Sequence, residues 1–193
     1  MAAAETTLLF QRMRDGSGDA EAAFYDRCAR KLLALIRLRM GPALRAGLES
    51  RDILQAVLLK THQRIDQVQD PAAVMGWMVR IAENEIRDQV DYQHRQRRDA
   101  AMQAPIEAAD AVPAPVRQAL SQAILNEEAS RVERVLESLP DDQRALIVMR
   151  KLEERSFAEI GEALGKSPDA CRMAFSRAMA ALTLALAGTS GTS

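Results

Sequence analysis

The sequence predicts an all-α protein of two small helical domains joined by a flexible linker, the C-terminal one a helix-turn-helix. Three observations predict it. Aromatics make up only 4% of the 193 residues, and no run of alternating β-branched residues bounded by turn signals occurs, so helix is favoured nearly throughout. Apolar residues recur at helical spacing between Gly, Pro, Ser and Asp punctuation. From Ala100 to Val116 there are three prolines (Pro105, Pro113, Pro115), two acids (Glu107, Asp110) and no Lys or Arg, the composition of a tether. The expected boundaries are a first domain at 1–99, a linker at 100–118, a second domain at 119–187 and a disordered tail at 188–193.

Composition excludes several classes. With 48% apolar and 27% charged residues the chain is globular rather than disordered. No stretch reaches the roughly 18 consecutive apolar residues of a membrane span, and the N-terminus, with Glu5 and no basic segment, does not read as a signal peptide. A cytoplasmic protein with no membrane partner is expected. Cys28 and Cys171 are far apart, without a Cys or His neighbour at ligand spacing, so buried thiols are expected rather than a metal site or a disulfide. His62 and His94 stand alone and no Gly-rich phosphate loop occurs. The expectation is therefore a non-enzyme with no cofactor. Residues 1–99 carry 16 Lys/Arg against 14 Asp/Glu, and residues 100–193 carry 10 against 13. Any nucleic-acid binding must then use local patches, not a basic coat.

In the first half, Gly16-Ser17-Gly18-Asp19 ends one short helix and caps the next, which should run from about residue 20 to 40, where Gly41-Pro42 breaks it. A third helix starts near Ser50 or Asp52 and reaches about Gln67. Asp70-Pro71, an N-cap followed by Pro at the first helical position, opens the longest helix, to about residue 98. At 100° per residue, Met75, Val79, Ala82, Ile86 and Val90 line one apolar stripe. Arg80, Asn84, Arg87, Asp91, Arg95 and Arg98 line nearly the opposite one. That second stripe reads either as a solvated face or as a phosphate-contacting one. Trp77 falls beside Arg80 and Asn84, where its ring could stack an unpaired base among guanidiniums or pack under the preceding loop.

In the second half, Leu139-Pro140-Asp141 opens a supporting helix over 141–153. Ser156-x-x-Glu159 is a capping box, and Phe157, Ile160, Gly161 and Leu164 supply the buried face of the helix it starts. Gly165 makes the turn, and Ser167 caps a further helix with Pro168 at its first position. Cys171, Phe175, Ala178 and Leu182 form that helix's core stripe, which leaves Asp169, Arg172, Met173, Ser176 and Arg177 facing outward. A helix presenting such N-terminal residues fits the major groove of B-DNA.

A helix-turn-helix alone is shared by unrelated proteins. The combination of "RDILQAVLLKTHQRI" (51–65), "WMVRIAENEIRD" (77–88) and "LESLPDDQRALIVMRKLEERSFAEIGEALGKSPDACRMAFSRAMAAL" (136–182) resembles the extracytoplasmic-function group of bacterial RNA polymerase sigma factors. The resemblance implies a subunit that binds core RNA polymerase, positions it at two promoter elements and helps open the duplex. It implies that Asp52, Gln55 and Leu59 dock on the polymerase clamp. It also implies that the 66–73 loop with Trp77, Arg80 and Asn84 melts the minus-ten element and captures an unstacked base, with Arg87 and Arg95 along the phosphates. Asn84 stands at the asparagine of the family's W-x-x-x-I-A-x-N pattern. Unstacking a base costs a few kcal/mol, which phosphate contacts could offset. At the minus-thirty-five element the resemblance puts Arg172, Met173 and Ser176 nearest the bases and Lys166 and Arg177 toward phosphates.

The chain departs from the pattern at informative places. Where relatives read D-x-E-D-x-x-Q-E, this chain has Glu49-Ser50-Arg51-Asp52-Ile53-Leu54-Gln55-Ala56, with two acids replaced, one by arginine. Met173, Ala174 and Met179 stand where polar or basic groups are common, and Asp91 where arginine is common. Ser50 reads in two ways. It is either a plain N-cap or a phosphorylation site for a Ser/Thr kinase, whose phosphate would restore negative charge at a helix N-terminus. An anti-sigma factor is the other regulatory partner to expect. The competing reading of the whole chain is a helix-turn-helix transcription regulator with weak or no polymerase binding, and a third is a helical module that binds only protein. A repressor usually needs a dimer seam, and no heptad seam is present; two DNA-reading units on a tether suit two spaced promoter elements.

Overall fold

The computed structural model describes residues 2–40, 48–98, 112–124 and 127–189, and among these every regular element is helical. The helices are α1 (Ala2–Arg14), α2 (Gly18–Arg39), α3 (Ser50–Arg64), α4 (Val74–Arg98), α5 (Ala114–Ile124), α6 (Glu127–Ser138), α7 (Asp141–Ile147), α8 (Phe157–Leu164) and α9 (Pro168–Thr189). The chain divides into two compact units, Thr6–Leu125 and Asn126–Ser193 with Met1–Glu5.

In the first unit α2 is the central helix. Ser17 caps it, its hydroxyl accepting from the Ala20 amide. Phe24, Tyr25 and Cys28 are buried, and so is the whole run Leu32–Ile36, where the helix is enclosed on every side rather than along one stripe. Phe10 of α1 stacks on Phe24 with ring centroids 5.5 Å apart. The Tyr25 hydroxyl meets His62 Nδ1 of α3 at 3.2 Å, and burial pushes the phenol's pKa up. From the longest helix, Met75, Val79 and Ala82 are buried as their spacing predicts, while Ile86 and Val90 are half-buried. Asp70 caps the entry by accepting from the Ala72 amide at 2.9 Å, over a single 3-10 turn at Pro71–Ala73.

The domain boundaries differ from expectation. Residues 114–118, assigned to the linker, and 119–124, assigned to the second domain, together form α5, which packs on α2 and α3 of the first unit. Val116, Ala119 and Ala123 recur at helical spacing and are buried there. The Pro-Ala composition that suggests a tether also suits a helix start. Pro115 lies in the first turn, where its missing N–H costs nothing, and Ala is the best helix former. The rest of the expected linker, except residues 112–113, lies outside the described residues, as do 190–193 of the expected tail; residues 188 and 189 are helical.

In the second unit α7 continues into a π-helical turn at Val148–Leu152. Leu146, Ile160 and Cys171 form the buried centre, with Met149, Phe157, Leu164 and Ala174 against it. Cys28 and Cys171 are both buried free thiols, as their isolation in the sequence predicts. The segment Pro168–Gly188 of α9 is long and apolar enough to cross a membrane by length and composition, but Arg172 and Arg177 stand inside it. Its C-terminal end is tied back to α6, where Arg131 Nη2 donates to the Leu186 carbonyl at 2.7 Å.

Candidate nucleic-acid and polymerase interfaces

The helix-turn-helix of the second unit is set by local chemistry. The Ser156 hydroxyl accepts from the Glu159 amide at 3.2 Å, and the Ser156 amide donates back to Glu159 Oε2 at 2.7 Å. The Ser156 hydroxyl also donates to Glu159 Oε2 at 2.7 Å, and this bond, then that from the Ser156 amide, with Arg155 and Arg150 nearby, hold the Glu159 carboxyl below the usual carboxylate range. At Gly165 the backbone is left-handed (φ 63°), which ends α8. Gly161 has a separate reason to be glycine: a Cβ there would lie 2.5 Å from the Lys166 carbonyl, so the close approach of turn to helix needs a bare backbone. Ser167 then caps α9, accepting from the Ala170 amide at 3.2 Å.

The predicted outward row of α9 is outward. Asp169, Arg172, Met173, Ser176 and Arg177 are all exposed, Met173 by 64%, and so is Lys166 in the turn. Arg172 is held rather than loose. Its Nη1 donates to Asp169 Oδ1 at 2.7 Å, and its guanidinium lies 5.5 Å from the centre of the Phe157 ring. The Ser176 hydroxyl donates to the Arg172 carbonyl at 3.1 Å, leaving its lone pairs outward. Sequence reasoning missed Arg150 and Lys151. The π turn places the Arg150 guanidinium 4.9 Å from the Phe157 ring and the Lys151 ammonium 5.9 Å from Phe175. The two rings pack edge to face at 5.7 Å, so three cations surround one aromatic pair. A rigid helix presenting a held arginine and an exposed apolar residue can donate to guanine or phosphate oxygens and contact thymine methyl groups.

On α4 of the first unit, Arg80, Asn84, Arg87, Asp91 and Arg95 are all exposed, so the predicted stripe faces solvent along its described length. The Arg98 side chain lies outside the described residues. Arg87 Nη1 donates to Asn84 Oδ1 at 3.2 Å, which engages the Asn84 oxygen as an acceptor. Arg95 Nε donates to the Asp91 carbonyl at 3.3 Å. Trp77 is half-buried, between the two placements its sequence position allows.

At the start of α3 the structure corrects one expectation. The N-cap is Glu49, without a side-chain capping bond, and Ser50 is the first helical residue. The Ser50 hydroxyl instead accepts from Arg37 Nε of α2 at 3.4 Å. Arg51, which replaces an acid of the expected pattern, lies 2.8 Å from Glu49 Oε2 and 3.8 Å from Asp52 Oδ1. Asp52 is exposed, and Gln55 and Leu59 are half-buried on the same face. Thr61, further along this helix, is fully buried and out of a modifying enzyme's reach.

An exposed arginine–asparagine row on one unit and a capped helix-turn-helix on the other are the groups that a nucleic-acid-binding protein needs. Comparison with known proteins narrows this. Residues 129–182 match the family described as "Sigma-70, region 4". The chain is 34% identical over 133 residues to the probable RNA polymerase sigma factor RfaY of Xanthomonas campestris pv. campestris, an alignment covering 68% of this chain and 32% of that protein. It is 29% identical over 163 residues to RNA polymerase sigma factor CarQ of Myxococcus xanthus, covering 84% of this chain and 87% of CarQ. The chain thus spans about a third of the length of the first relative and most of the second. The solved structure of CnrH in complex with the cytosolic domain of CnrY aligns over 95% of this chain and 98% of its own at 19% identity, with a TM-score of 0.44. Residues 129–182 thus carry a sigma-70 region 4 domain, and the chain is similar to RNA polymerase sigma factors over most of its length.

Proposed function

We propose that this chain binds core RNA polymerase through the exposed start of α3, opens promoter DNA with the Trp77–Arg80–Asn84 surface of α4, and reads an upstream duplex element with α9. One observation carries the reading: each compact unit exposes a separate row of DNA-compatible side chains, Arg80 to Arg95 on one and Asp169 to Arg177 on the other. A single-site regulator needs only the second row. In this reading Arg172, Met173 and Ser176 meet base edges, and Lys166 and Arg177 meet phosphates. Asp52, Gln55 and Leu59 form the docking face. The protein acts as a binding subunit rather than a catalyst, in the cytoplasm where the polymerase works. An anti-sigma protein or a Ser/Thr kinase acting at Ser50 would be its regulator.

Run-off transcription with purified core polymerase on templates carrying both promoter elements tests this. A specific transcript should appear only with the chain added, and Asp52→Arg should weaken co-purification with core polymerase. Duplex binding through α9 with no polymerase association would instead establish the regulator reading.

A further inference from the structure

We propose that two ion pairs, Arg39–Glu83 and Lys60–Glu85, clamp α4 against rotation and thereby aim Asn84. The proposal rests on the reading of Asn84 as the base-capturing residue. Residues 83, 84 and 85 are consecutive on a helix, so at 100° per residue the two glutamates flank the asparagine on either side of the wheel. Asn84 is exposed, whereas each neighbour reaches a different helix. The Glu83 carboxylate pairs with Arg39 at the end of α2, and the Glu85 carboxylate, only 9% exposed, pairs with Lys60 of α3. One flank of Asn84 is therefore tied to the central helix and the other to the docking helix.

The apolar side of α4 buries Val74, Met75, Met78, Val79 and Ala82. Two of the five are methionines, which are unbranched and adapt to shifted partners, so directional pairs add definition to the angle that this packing sets. A turn of about 20° around the helix axis would move a side-chain tip lying about 6 Å from that axis by about 2 Å, well beyond the ~0.5 Å within which a preorganised site must be held. A directional pair on each side of the wheel resists rotation in both senses. Stability alone gives little reason for Glu85 to be there. The Glu85 carboxylate is buried while Lys60 is 43% exposed, and taking a carboxylate out of water offsets much of what the pair gains, so what it can supply is a defined geometry. Arg39, Lys60, Glu83 and Glu85 are on this account positioning residues, acting through the direction in which Asn84 points.

The test compares full-length variants assembled with core polymerase, measuring polymerase affinity and the permanganate reactivity of promoter thymines. Lys60→Gln/Glu85→Gln removes one pair without stranding a charge. It should keep polymerase affinity within about twofold while lowering thymine reactivity roughly tenfold, in the middle of the range for coupled pairs. The exchange Lys60→Glu/Glu85→Lys should recover most of that reactivity, and Lys60→Glu alone should not. A neutral pair that opens the promoter as well as wild type overturns the clamp, as does an exchange variant no better than Lys60→Glu. Should the neutral pair fail to fold, the exchange against Lys60→Glu still decides. Asn84→Ala separates the two levels. If it opens the promoter normally, base capture by Asn84 itself falls; if it is inactive while the neutral pair is fully active, only the clamp falls.

Discussion

Val116 tests whether α5 belongs to the first unit. Its side chain is 0% exposed in contact with a unit centred on α2, and Ala119 and Ala123 beside it are 1% and 2% exposed. Val116→Ala removes two methyl groups, worth about 1.6 kcal/mol of transfer free energy, and the partly relaxed cavity raises the expected cost to about 2 kcal/mol. Helix propensity works slightly the other way, since Ala exceeds Val by a few tenths of a kcal/mol. The chain has a single tryptophan, Trp77, and it lies in the first unit, so its fluorescence follows that unit's unfolding alone. With a urea m-value of about 2 kcal/mol/M, the midpoint should fall by about 1 M. A fragment ending at residue 113 should lose more, because it uncovers the faces of α2 and α3 that α5 covers. An unchanged midpoint in both would show that α5 contributes nothing to the unit, and the linker would then extend through residue 124.

Four further outcomes follow from the geometry. Gly161→Ala should destabilise the second unit and abolish duplex binding, because its Cβ would meet the Lys166 carbonyl at 2.5 Å; circular dichroism and gel shift check it. Glu154→Gly should raise the second unit's stability by roughly 1 kcal/mol, since Glu154 sits at φ 59°, where a side chain is strained; chemical denaturation measures it. The Glu159 carboxyl is held below the ordinary carboxylate value of 4.5, so its capping contribution is present above that value and lost as pH falls through the lower folded one. Wild type should therefore be more stable than Glu159→Gln at neutral pH, with the gap closing in acid titrations of urea melts. Ser50→Glu should bind core polymerase more tightly than Ser50→Ala if phosphate is the switch, and equal affinities would leave Ser50 as an ordinary helix-start residue.

The helix-turn-helix was legible almost residue by residue, because each of its signals is local. A capping box, a turn glycine, an N-cap and a Pro at the first position all act within a few residues, and the structure places each as expected. The arginine row of α4 was legible for the same reason, as period alone separates it from the apolar stripe. What the sequence concealed depends on partners distant in the chain. Glu85 reads as one more surface acid, and its partner when buried, Lys60, lies 25 positions earlier. The Pro-Ala segment around Val116 reads as a tether because nothing local records the uncovered face of α2 that it covers. Arg150 and Lys151 read as ordinary helix cations until the π turn brings them over the aromatic rings.

The start of α3 draws these strands together. Replacing an acid by Arg51 does more than delete one negative charge, since its guanidinium lies against both Glu49 and Asp52 and offsets the acids that remain. These pairs are exposed, so they contribute little to stability; their effect falls on the field that a docking partner meets. Arg37 adds a further cation from α2, with its Nε on the Ser50 hydroxyl. Two arginines, Arg37 and Arg51, are thus arranged around a serine and two acids at a helix N-terminus. A group of about −1.5 to −2 charges on that serine would meet both the helix dipole and a guanidinium already in place. On the proposed docking reading, a phosphate on Ser50 would return negative charge to the start of α3, beside Arg37 and Arg51.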